Sequence, residues 1–319
     1  MGLASQQGMD CSKLHVLVAR ARRCVAHRGA LVFTLLLMGQ LALTGPALGS
    51  EASLERPPGK SRWAWYWETR PPSAFQLRPA LELGLLLTSL PTYLTLRMTD
   101  NQYVPPSCGQ PGNPCDPNTV NSFDRPFIYA DASAQPAANF FLTYSMPIMG
   151  ALMFLDYGPR QWRSYLTDLT IAFESFAMSA AVTYIVRVST RRPRPFLYIE
   201  GAYDDRRSSV DATESFWSGH VSYVMAFGVS AAYLISVRHG VRSPWTWLAW
   251  TVALGVGTSS AVLRVLSGDH FLSDVLAAMG FGAGVGLLVP VIHGRRSLPV
   301  KILPMAGRET LGLSLSGTL

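Results

Sequence analysis

The chain alternates between long apolar stretches and shorter polar ones, and several of the apolar stretches are of membrane-spanning length. About 20 mostly apolar residues are needed to cross the hydrocarbon core of a bilayer as an α-helix. Five stretches meet this length, and they cover residues 138–157, 165–187, 217–236, 244–264 and 270–292. The pattern therefore predicts an all-α fold, an integral membrane bundle of at least five transmembrane helices.

A sixth apolar stretch, Ala80 to Met98, is a weaker candidate for a span. Glu82 lies inside it and Pro91 interrupts it. It is therefore compatible with a transmembrane helix, a re-entrant segment or a helix at the interface. The aromatic segment 63–67 precedes it and is typical of a belt at the membrane surface. The bundle is accordingly predicted to have five to six helices.

Composition supports a membrane protein and limits its partners. Of the 319 residues, 49% are hydrophobic and 15% are charged, and the net charge is +7. The basic residues cluster at the ends of the apolar stretches, where they set topology and contact lipid headgroups. No aromatic and basic interleaving typical of an RNA surface is present, so we expect the bilayer as a partner and no nucleic acid.

The first 49 residues have the layout of a secretory signal peptide or an N-terminal anchor. Basic residues between Arg20 and Arg28 precede the apolar run 30–43. Ala47 and Gly49 then supply the two small residues of a cleavage motif. We expect cleavage before Ser50. The predicted organisation is a signal peptide or anchor (1–49), an interfacial linker (50–78), a membrane domain (79–293) and a cytoplasmic tail (294–319).

Loop charges predict the orientation. Loops 158–164 and 237–243 and the tail are rich in arginine, which is typical of the cytoplasmic face. Loops 99–137, 188–216 and 265–269 then face outward, which in an inner membrane is the periplasm. With this orientation, a cleaved signal peptide and a spanning sixth stretch cannot both be correct, and the loop charges are the stronger indicator of orientation.

Two cysteines, Cys108 and Cys115, lie in a loop rich in proline and glycine on the predicted outward face. A close pair in an exported chain indicates a disulfide in an oxidising compartment. Two unpaired loop cysteines are the alternative. No histidine accompanies them, so they form a poor zinc site.

Three polar clusters stand at the ends of spans on that same face. They are Arg187 with Arg194-Pro195, then Ser218-Gly219-His220, and finally Arg264 with His270 and Asp274. Guanidinium groups can donate two parallel hydrogen bonds to phosphate oxygens, and they stay charged at any working pH. The serine and the following backbone N–H groups begin a helix, where unpaired donors favour an anion. These clusters therefore have the chemistry of a phosphate site.

The histidines supply the reactive groups. His270 and Asp274 are four residues apart, so a carboxylate can orient the imidazole on one helix face. An oriented imidazole can attack phosphorus, and His220 can protonate the leaving oxygen. Each cluster also has a structural alternative: juxtamembrane charge, a helix cap or a structural ion pair. The location of all three clusters on one side of the membrane favours function, whereas His239 and His293 lie with the basic loops.

The order and spacing of these residues resemble the type 2 phosphatidic acid phosphatase (PAP2) superfamily, also called lipid phosphate phosphatases. Its signature reads Lys-x6-Arg-Pro, Pro-Ser-Gly-His and Ser-Arg-x5-His-x3-Asp, and the resemblance covers about 138–292. The chain departs from it at three positions. Arg187 replaces the lysine, Trp217 the proline and Leu263 the serine.

The resemblance implies a PAP2/haloperoxidase-like core and a metal-independent phosphoric ester hydrolase. It implies that His270 is the nucleophile that forms a phosphohistidine, that Asp274 orients it and that His220 is the acid. The phosphate ligands would be Arg187, Arg194, Arg264, Ser218 and the Gly219 backbone. No cofactor and no metal ligand are implied. The expected substrate is a phospholipid or an isoprenoid phosphate with a phosphomonoester or pyrophosphate group.

Three other functions remain open from the sequence. They are a vanadate-dependent haloperoxidase, which the resemblance also admits, a lipid phosphotransferase, and a membrane protein that binds anions without catalysis. The loop Tyr203–Arg207 is either a cover for the site or a solvated loop. Asp168 and Glu174, inside a span, are expected to support helix contacts or the pocket.

Overall fold

The computed structural model of the chain describes residues 73–99, 108–110, 112–158, 161–294, 300–306 and 311–317. Within these ranges the long helices are α1 (Pro79–Thr99), α2 (Gln135–Tyr157), α3 (Trp162–Thr190), α4 (Gly219–His239), α5 (Pro244–Leu266) and α6 (Leu272–His293). The predicted signal peptide and most of the predicted linker lie outside the described residues. These two assignments stay predictions.

Local sequence sets where the helices begin and end. Gly158 and Gly240 follow α2 and α4 with φ of 70° and 75°, a conformation that glycine adopts without steric cost. Ser243 caps α5 by accepting a hydrogen bond from the Trp245 backbone at 3.3 Å, and Pro244 occupies the first helical position. Local residues in the sequence therefore specify where these short loops begin and end.

Five of the helices, α2 to α6, are long and apolar enough to cross a membrane. They coincide with the five predicted stretches to within a few residues at most ends. A short 3-10 turn, Pro195–Tyr198, follows α3 after four non-helical residues, Arg191 to Arg194. The predicted fold class, an all-α multi-pass membrane bundle, is confirmed.

Helix α4 lies at the centre of the bundle and packs against α2, α3, α5 and α6. Small residues allow this close packing: an added Cβ at Gly282 or Gly286 of α6 would lie 2.5 or 2.6 Å from a backbone oxygen of α4. One end of the bundle, here the long-loop end, carries the segments 108–134, 191–218 and 267–271. The opposite, short-loop end carries 158–161 and 240–243.

Helix α1, the weak sixth stretch, is a continuous helix that lies beside α3. Its ring Tyr93 contacts Tyr184 near the long-loop end, with centroids 5.8 Å apart. Ser73, just before α1, donates to the carboxylate of Asp168 at 2.5 Å toward the short-loop end. Helix α1 therefore starts at the short-loop end and runs parallel to α3. If the short-loop end is cytoplasmic, residues 73–78 are cytoplasmic too.

Two strands, β1 (Val300–Ala306) and β2 (Leu311–Gly317), follow α6. They pair antiparallel, with Val300 opposite Gly317. The sequence analysis did not predict them, although residues 311–317 alternate leucine with glycine or serine, as a strand with one apolar face would. They belong to the region assigned as the tail and leave the helical membrane domain unchanged.

Candidate active site

The ends of four helices meet at the long-loop end and bring the three polar clusters together. Arg187 lies in the last turn of α3, and Arg264 lies in the last turn of α5. Ser218 is the N-cap of α4, and its backbone N–H donates to the Asp274 carbonyl at 3.4 Å. His270 immediately precedes α6. Groups that are up to 87 residues apart in sequence thus share one site.

His270 is buried, and its ring is fixed from one side. Its Nδ1 lies 2.6 Å from the backbone carbonyl of Ser215. Because a carbonyl only accepts, Nδ1 carries the proton and Nε2 keeps its lone pair. Burial and the guanidinium groups of Arg194, Arg187 and Arg264 hold the pKa of His270 well below its ordinary value. The imidazole is therefore neutral near pH 7, as a nucleophile requires.

Asp274 approaches His270 but does not hydrogen-bond to it. Its Oδ2 lies 3.9 Å from Nδ1, beyond hydrogen-bond distance. The same oxygen accepts from the Ser215 hydroxyl at 2.5 Å and from the Phe271 backbone N–H at 2.9 Å. Oδ1 accepts from Arg192 at 2.5 Å. Ser215 therefore stands between the two groups, so the carboxylate holds the residue whose carbonyl orients the imidazole.

The three arginines are buried and paired with acids. Arg187 and Arg194 both donate to Oδ1 of Asp211, at 3.0 and 2.6 Å. Arg187 also pairs with Glu214 at 3.2 Å. Several carboxylates pair with these two guanidinium groups. That of Asp211 is half-exposed and is the most accessible to solvent among them.

Asp269 is a buried carboxylate that joins three cations of the site. It accepts from Arg264 at 2.6 Å and from Arg206 at 2.8 Å, and it lies 3.3 Å from Arg194. Burial disfavours its ionisation, but Arg194, Arg264 and Arg206 together hold its pKa well below the usual range. Asp269 is therefore ionised, and its carboxylate holds the three guanidinium groups in position.

Within the described part of the chain, several buried donors at the site have no hydrogen-bond partner. They are the Ser218 hydroxyl, Nε of Arg264 and Nη1 of Arg206. Buried polar groups are normally satisfied, so unpaired donors around a cationic pocket indicate an absent acceptor. The backbone N–H groups that begin α4 at Gly219 add further donors and the positive end of the helix dipole. This donor set suits an oxyanion such as a phosphoryl group.

His220 follows in the first turn of α4, with its imidazole within electrostatic reach of Arg264, Arg194 and Arg187. It is partly exposed, unlike His270. Its position at the rim suits a group that exchanges protons with a leaving oxygen and with water.

The loop Tyr203–Arg207 folds over the site and is not merely solvated. The Tyr203 hydroxyl donates to the Ser267 carbonyl at 3.0 Å, and Arg206 reaches Asp211 and Asp269. Arg207 is fully buried and donates to backbone carbonyls, including that of Gly109 at 2.6 Å.

The loop that contains Cys108 and Cys115 packs against the residues on both sides of Tyr203–Arg207. Cys108 and Cys115 form a disulfide. The Cys115 backbone N–H donates to the Leu197 carbonyl at 3.0 Å, and Cys115 packs with Phe196 and Ala212. The disulfide loop therefore packs against Phe196 and Leu197, which follow Arg194 closely in the chain.

Trp217, which stands where the family signature has a proline, contacts α3 and α6. Its indole N–H donates to Thr183 of α3 at 2.7 Å, and its ring lies 4.6 Å from that of Phe281 of α6. Trp217 therefore acts through packing beside the site, and it does not supply a ligand for the phosphate.

A cavity of about 530 Å³ lies beside Arg192 at the long-loop end. It is lined by Thr119, Val120, Asn121, Thr190, Arg192, Pro193, Tyr198 and Phe216. Hydroxyl, amide and guanidinium groups share this lining with two aromatic rings. The cavity can thus accommodate a polar group next to Arg192.

Sequence reasoning did not find several residues that shape the site: Asn139, Arg192, Arg206, Asp211, Glu214, Ser215 and Asp269. Asp269 had a signal, since it directly precedes His270. Arg206 had another, since it belongs to the loop that we considered as a cover. The others act through contacts between distant segments, such as the 2.5 Å hydrogen bond from Arg264 to Asn139, and no local pattern marks them.

Comparison with known proteins gives a family match for the part of the chain that holds the site. Residues 168–298 match the family model described as the PAP2 superfamily. A lipid A 1-phosphatase of Rhizobium johnstonii is 36% identical over 97 residues, which are 30% of this chain and 35% of that protein. A lipid A 1-phosphatase of Rhizobium etli is 36% identical over 93 residues, with 29% and 35% covered.

The chain thus spans about a third of the length of the curated relatives that it matches. No solved structure matches. The family match contains all three polar clusters, so the resemblance seen in their spacing is confirmed for this region.

Proposed function

Residues 168–298 belong to the PAP2 superfamily, and from this premise we propose that the chain is a membrane phosphatase that hydrolyses a phosphomonoester or pyrophosphate on a lipid. One observation carries the proposal. The three polar clusters converge around a neutral His270, and buried donors beside it lack an acceptor. A phosphoryl group supplies both the electrophile for the imidazole and the acceptor for the donors.

The reaction has two balanced steps. In the first, Nε2 of His270 attacks phosphorus, the P–Nε2 bond forms as the bond to the leaving oxygen breaks, and His220 protonates that oxygen. In the second, His220 takes a proton from water, and the water oxygen displaces Nε2 from phosphorus to release inorganic phosphate. The guanidinium groups of Arg187, Arg194 and Arg264, with Ser218 and the Gly219 N–H, stabilise the charge on the phosphoryl oxygens.

Asp274 is a positioning residue in this scheme. It holds Ser215, whose carbonyl keeps the proton on Nδ1 of His270, and so it selects the reactive tautomer. We expect Asp274→Asn to lower kcat by on the order of 10- to 100-fold, less than loss of the nucleophile, because the carbonyl contact can persist.

A lipid substrate follows from the position of the site at the ends of spanning helices. There a headgroup can enter while acyl or isoprenoid chains stay in the bilayer. The cavity beside Arg192 suits a polar headgroup. The two curated relatives are named for removal of a phosphate from lipid A, which makes lipid A a candidate substrate beside phosphatidic acid, phosphatidylglycerol phosphate and undecaprenyl pyrophosphate.

The location that we propose is the inner membrane, with the site facing the periplasm. The arginine-rich loops at the short-loop end support this orientation, because such loops stay in the cytoplasm. The disulfide at the long-loop end supports it as well, because disulfides persist in oxidising compartments.

The test is phosphate release from a panel of these lipids in buffer without added divalent metal. We expect release from at least one lipid by the wild type, none with His270→Ala, and a loss of about 100- to 10,000-fold in kcat with His220→Ala. His239→Ala is the matched control, since His239 pairs with Asp156 at the short-loop end and should retain activity.

A rapid alkaline quench with a labelled lipid should trap phosphate on the wild-type protein, and His270→Ala should abolish the trapped label. Full phosphate release by His270→Ala would contradict the assignment of the nucleophile. Transfer of phosphate to an added alcohol with no release to water would identify a phosphotransferase. Halide oxidation with vanadate, without lipid hydrolysis, would identify a haloperoxidase.

A further inference from the structure

A second cluster of ligating side chains lies away from the candidate active site, toward the short-loop end. It comprises Glu82 of α1, Glu174 of α3 and His293 of α6. Nε2 of His293 lies 3.1 Å from Oε2 of Glu82 and 3.1 Å from Oε2 of Glu174. One ligand atom from each residue lies within 4.8 Å of the other two.

Glu174 is the buried member that lacks a hydrogen-bond donor. Its side chain is 0% exposed, and neither of its carboxylate oxygens has a partner of hydrogen-bond geometry. An ionised carboxylate in an apolar bundle is costly unless a cation compensates it. Oε2 of Glu174 points at the cluster and lies 3.1 Å from Nε2 of His293, so a cation that compensates the carboxylate would lie between the three side chains.

The other two members are already oriented for a shared ligand. Nδ1 of His293 lies 2.8 Å from the Val289 carbonyl, which places a proton on Nδ1 and directs Nε2 toward the two carboxylates. This backbone contact is the usual second contact of a metal-binding histidine. Oε1 of Glu82 accepts from the Arg78 backbone N–H at 2.6 Å, so that Oε2 is left for the cluster.

Charge and spacing both favour a divalent ion. Two carboxylates and a neutral imidazole carry two negative charges, which one divalent cation neutralises, whereas protonation of the histidine neutralises one. In a tetrahedral zinc site the ligand atoms are about 3.3 Å apart, because each lies about 2.0–2.1 Å from the metal. The two 3.1 Å separations come close to this value.

We propose that Glu82, Glu174 and His293 bind one divalent transition-metal ion, with Zn²⁺ the best match to two carboxylates and an imidazole. The site would tie α1 to α3 and α6. This matters for α1, since it is the long described helix that is not apolar enough to qualify as a span. The role is structural and independent of the proposed phosphatase chemistry.

The experiment uses the full chain in detergent, purified with a tag that contains no histidine. The protein is stripped with a chelator, desalted and titrated with ZnCl₂ by calorimetry, and bound metal is measured by mass spectrometry. We expect one equivalent of Zn²⁺ and a higher unfolding temperature in its presence. Co²⁺ should replace it and give the visible absorption of a low-symmetry site.

Variants separate this site from adventitious binding. Glu174→Gln and His293→Ala should each weaken Zn²⁺ binding by on the order of 100-fold or more, because each removes a direct ligand. The matched control is Asp168→Asn, which alters another buried carboxylate of α3 that is satisfied by Ser73 and Tyr157. Its Zn²⁺ affinity should equal that of the wild type.

Absence of stoichiometric Zn²⁺ binding by the wild-type chain would overturn the proposal, whether or not the variants fold. Equal binding by wild type and Glu174→Gln would overturn it too, as would binding of Mg²⁺ or Ca²⁺ that does not need His293. Failure here leaves phosphate release by His270 untouched, since that assay reads lipid hydrolysis and this one reads metal content.

Discussion

If Arg187 and Arg194 bind the phosphoryl group as proposed, Asp211 competes with it for the same two arginines. Its Oδ1 accepts from both Arg187 and Arg194, and its side chain is half-exposed in the 3-10 turn Val210–Thr213. A bound phosphoryl group has to take over these contacts, or share them. Asp211 therefore raises the free energy of anion binding while it keeps the arginines in place.

We expect Asp211→Asn to bind inorganic phosphate and vanadate on the order of tenfold more tightly, because a neutral amide is a weaker competitor than a carboxylate. The measurement is the inhibition constant of each anion in the lipid assay. Asp204→Asn is the control, since Asp204 lies in the same loop but pairs with Arg207. Weaker inhibition in Asp211→Asn would show that Asp211 acts only as a scaffold.

His270 also couples folding to pH. Burial and the neighbouring arginines lower its pKa in the folded state, so the unfolded chain binds a proton near pH 6.5 that the folded chain does not. Stability should therefore fall as the pH drops below about 6.5. Asp269 has a lowered pKa as well, so its contribution is present above about pH 4 and is lost as the pH falls further.

The measurement is the unfolding temperature in detergent between pH 7.5 and about 4.5. His270→Gln should flatten the decline between about pH 6.5 and 5, because it removes one titrating group. Identical profiles for wild type and variant would contradict the predicted coupling.

At the scale of helices, the contact between α4 and α6 depends on two glycines of α6 that face the backbone of α4. Alanine at Gly282 would place a Cβ 2.5 Å from the Ser222 carbonyl, and alanine at Gly286 would place one 2.6 Å from that of Ala226. Both oxygens belong to a helix backbone that cannot yield without moving α4. Since α4 carries Ser218 and His220 at its start, its packing also positions the site.

Gly282→Ala and Gly286→Ala should each destabilise the fold by about 1–3 kcal/mol, the usual cost of overpacking. Gly284→Ala is the control in the same helix, because no atom lies within 4 Å of its added Cβ and alanine is the better helix former. Denaturant or thermal unfolding of the three variants checks the order. A Gly284→Ala variant as unstable as the other two would contradict this account of the contact.

At the scale of the whole molecule, the loop charges and the disulfide predict the same orientation in the membrane. An alkaline phosphatase reporter fused after Asp204 should be active, since this loop lies at the long-loop end, whereas fusions after Gly240 and at the C-terminus should be inactive. Cys108 and Cys115 should react with a maleimide only after reduction. Active reporter at the C-terminus would reverse the predicted topology.

The path of α1 bears on the predicted signal peptide. Helix α1 begins beside the end of α6, so both ends of the membrane domain lie on one face. With the arginine-rich loops in the cytoplasm, residues 73–78 are cytoplasmic, which conflicts with export of the linker 50–78 after cleavage. A reporter fused between α1 and α2, tested beside the C-terminal fusion, separates the two predictions.

The sequence by itself determined the five apolar spans and supplied the candidates for the reactive residues. Apolar length is a local property, because each helix satisfies its own backbone hydrogen bonds and needs only about 20 apolar residues to cross a bilayer. The motif spacings are local too, so Arg187, His220 and His270 could be named without coordinates. The location of all three clusters at one membrane face followed from counting spans.

Only the tertiary structure decided how these groups are paired. Ser215 links His270 to Asp274, and Asp211 accepts hydrogen bonds from two arginines. His293 contacts two glutamates from other helices. Each contact joins segments that are far apart in the chain, and its geometry depends on how the helices pack and how the loops close over them. Side-chain pairing at such distances is a property of the folded bundle, and no local pattern encodes it.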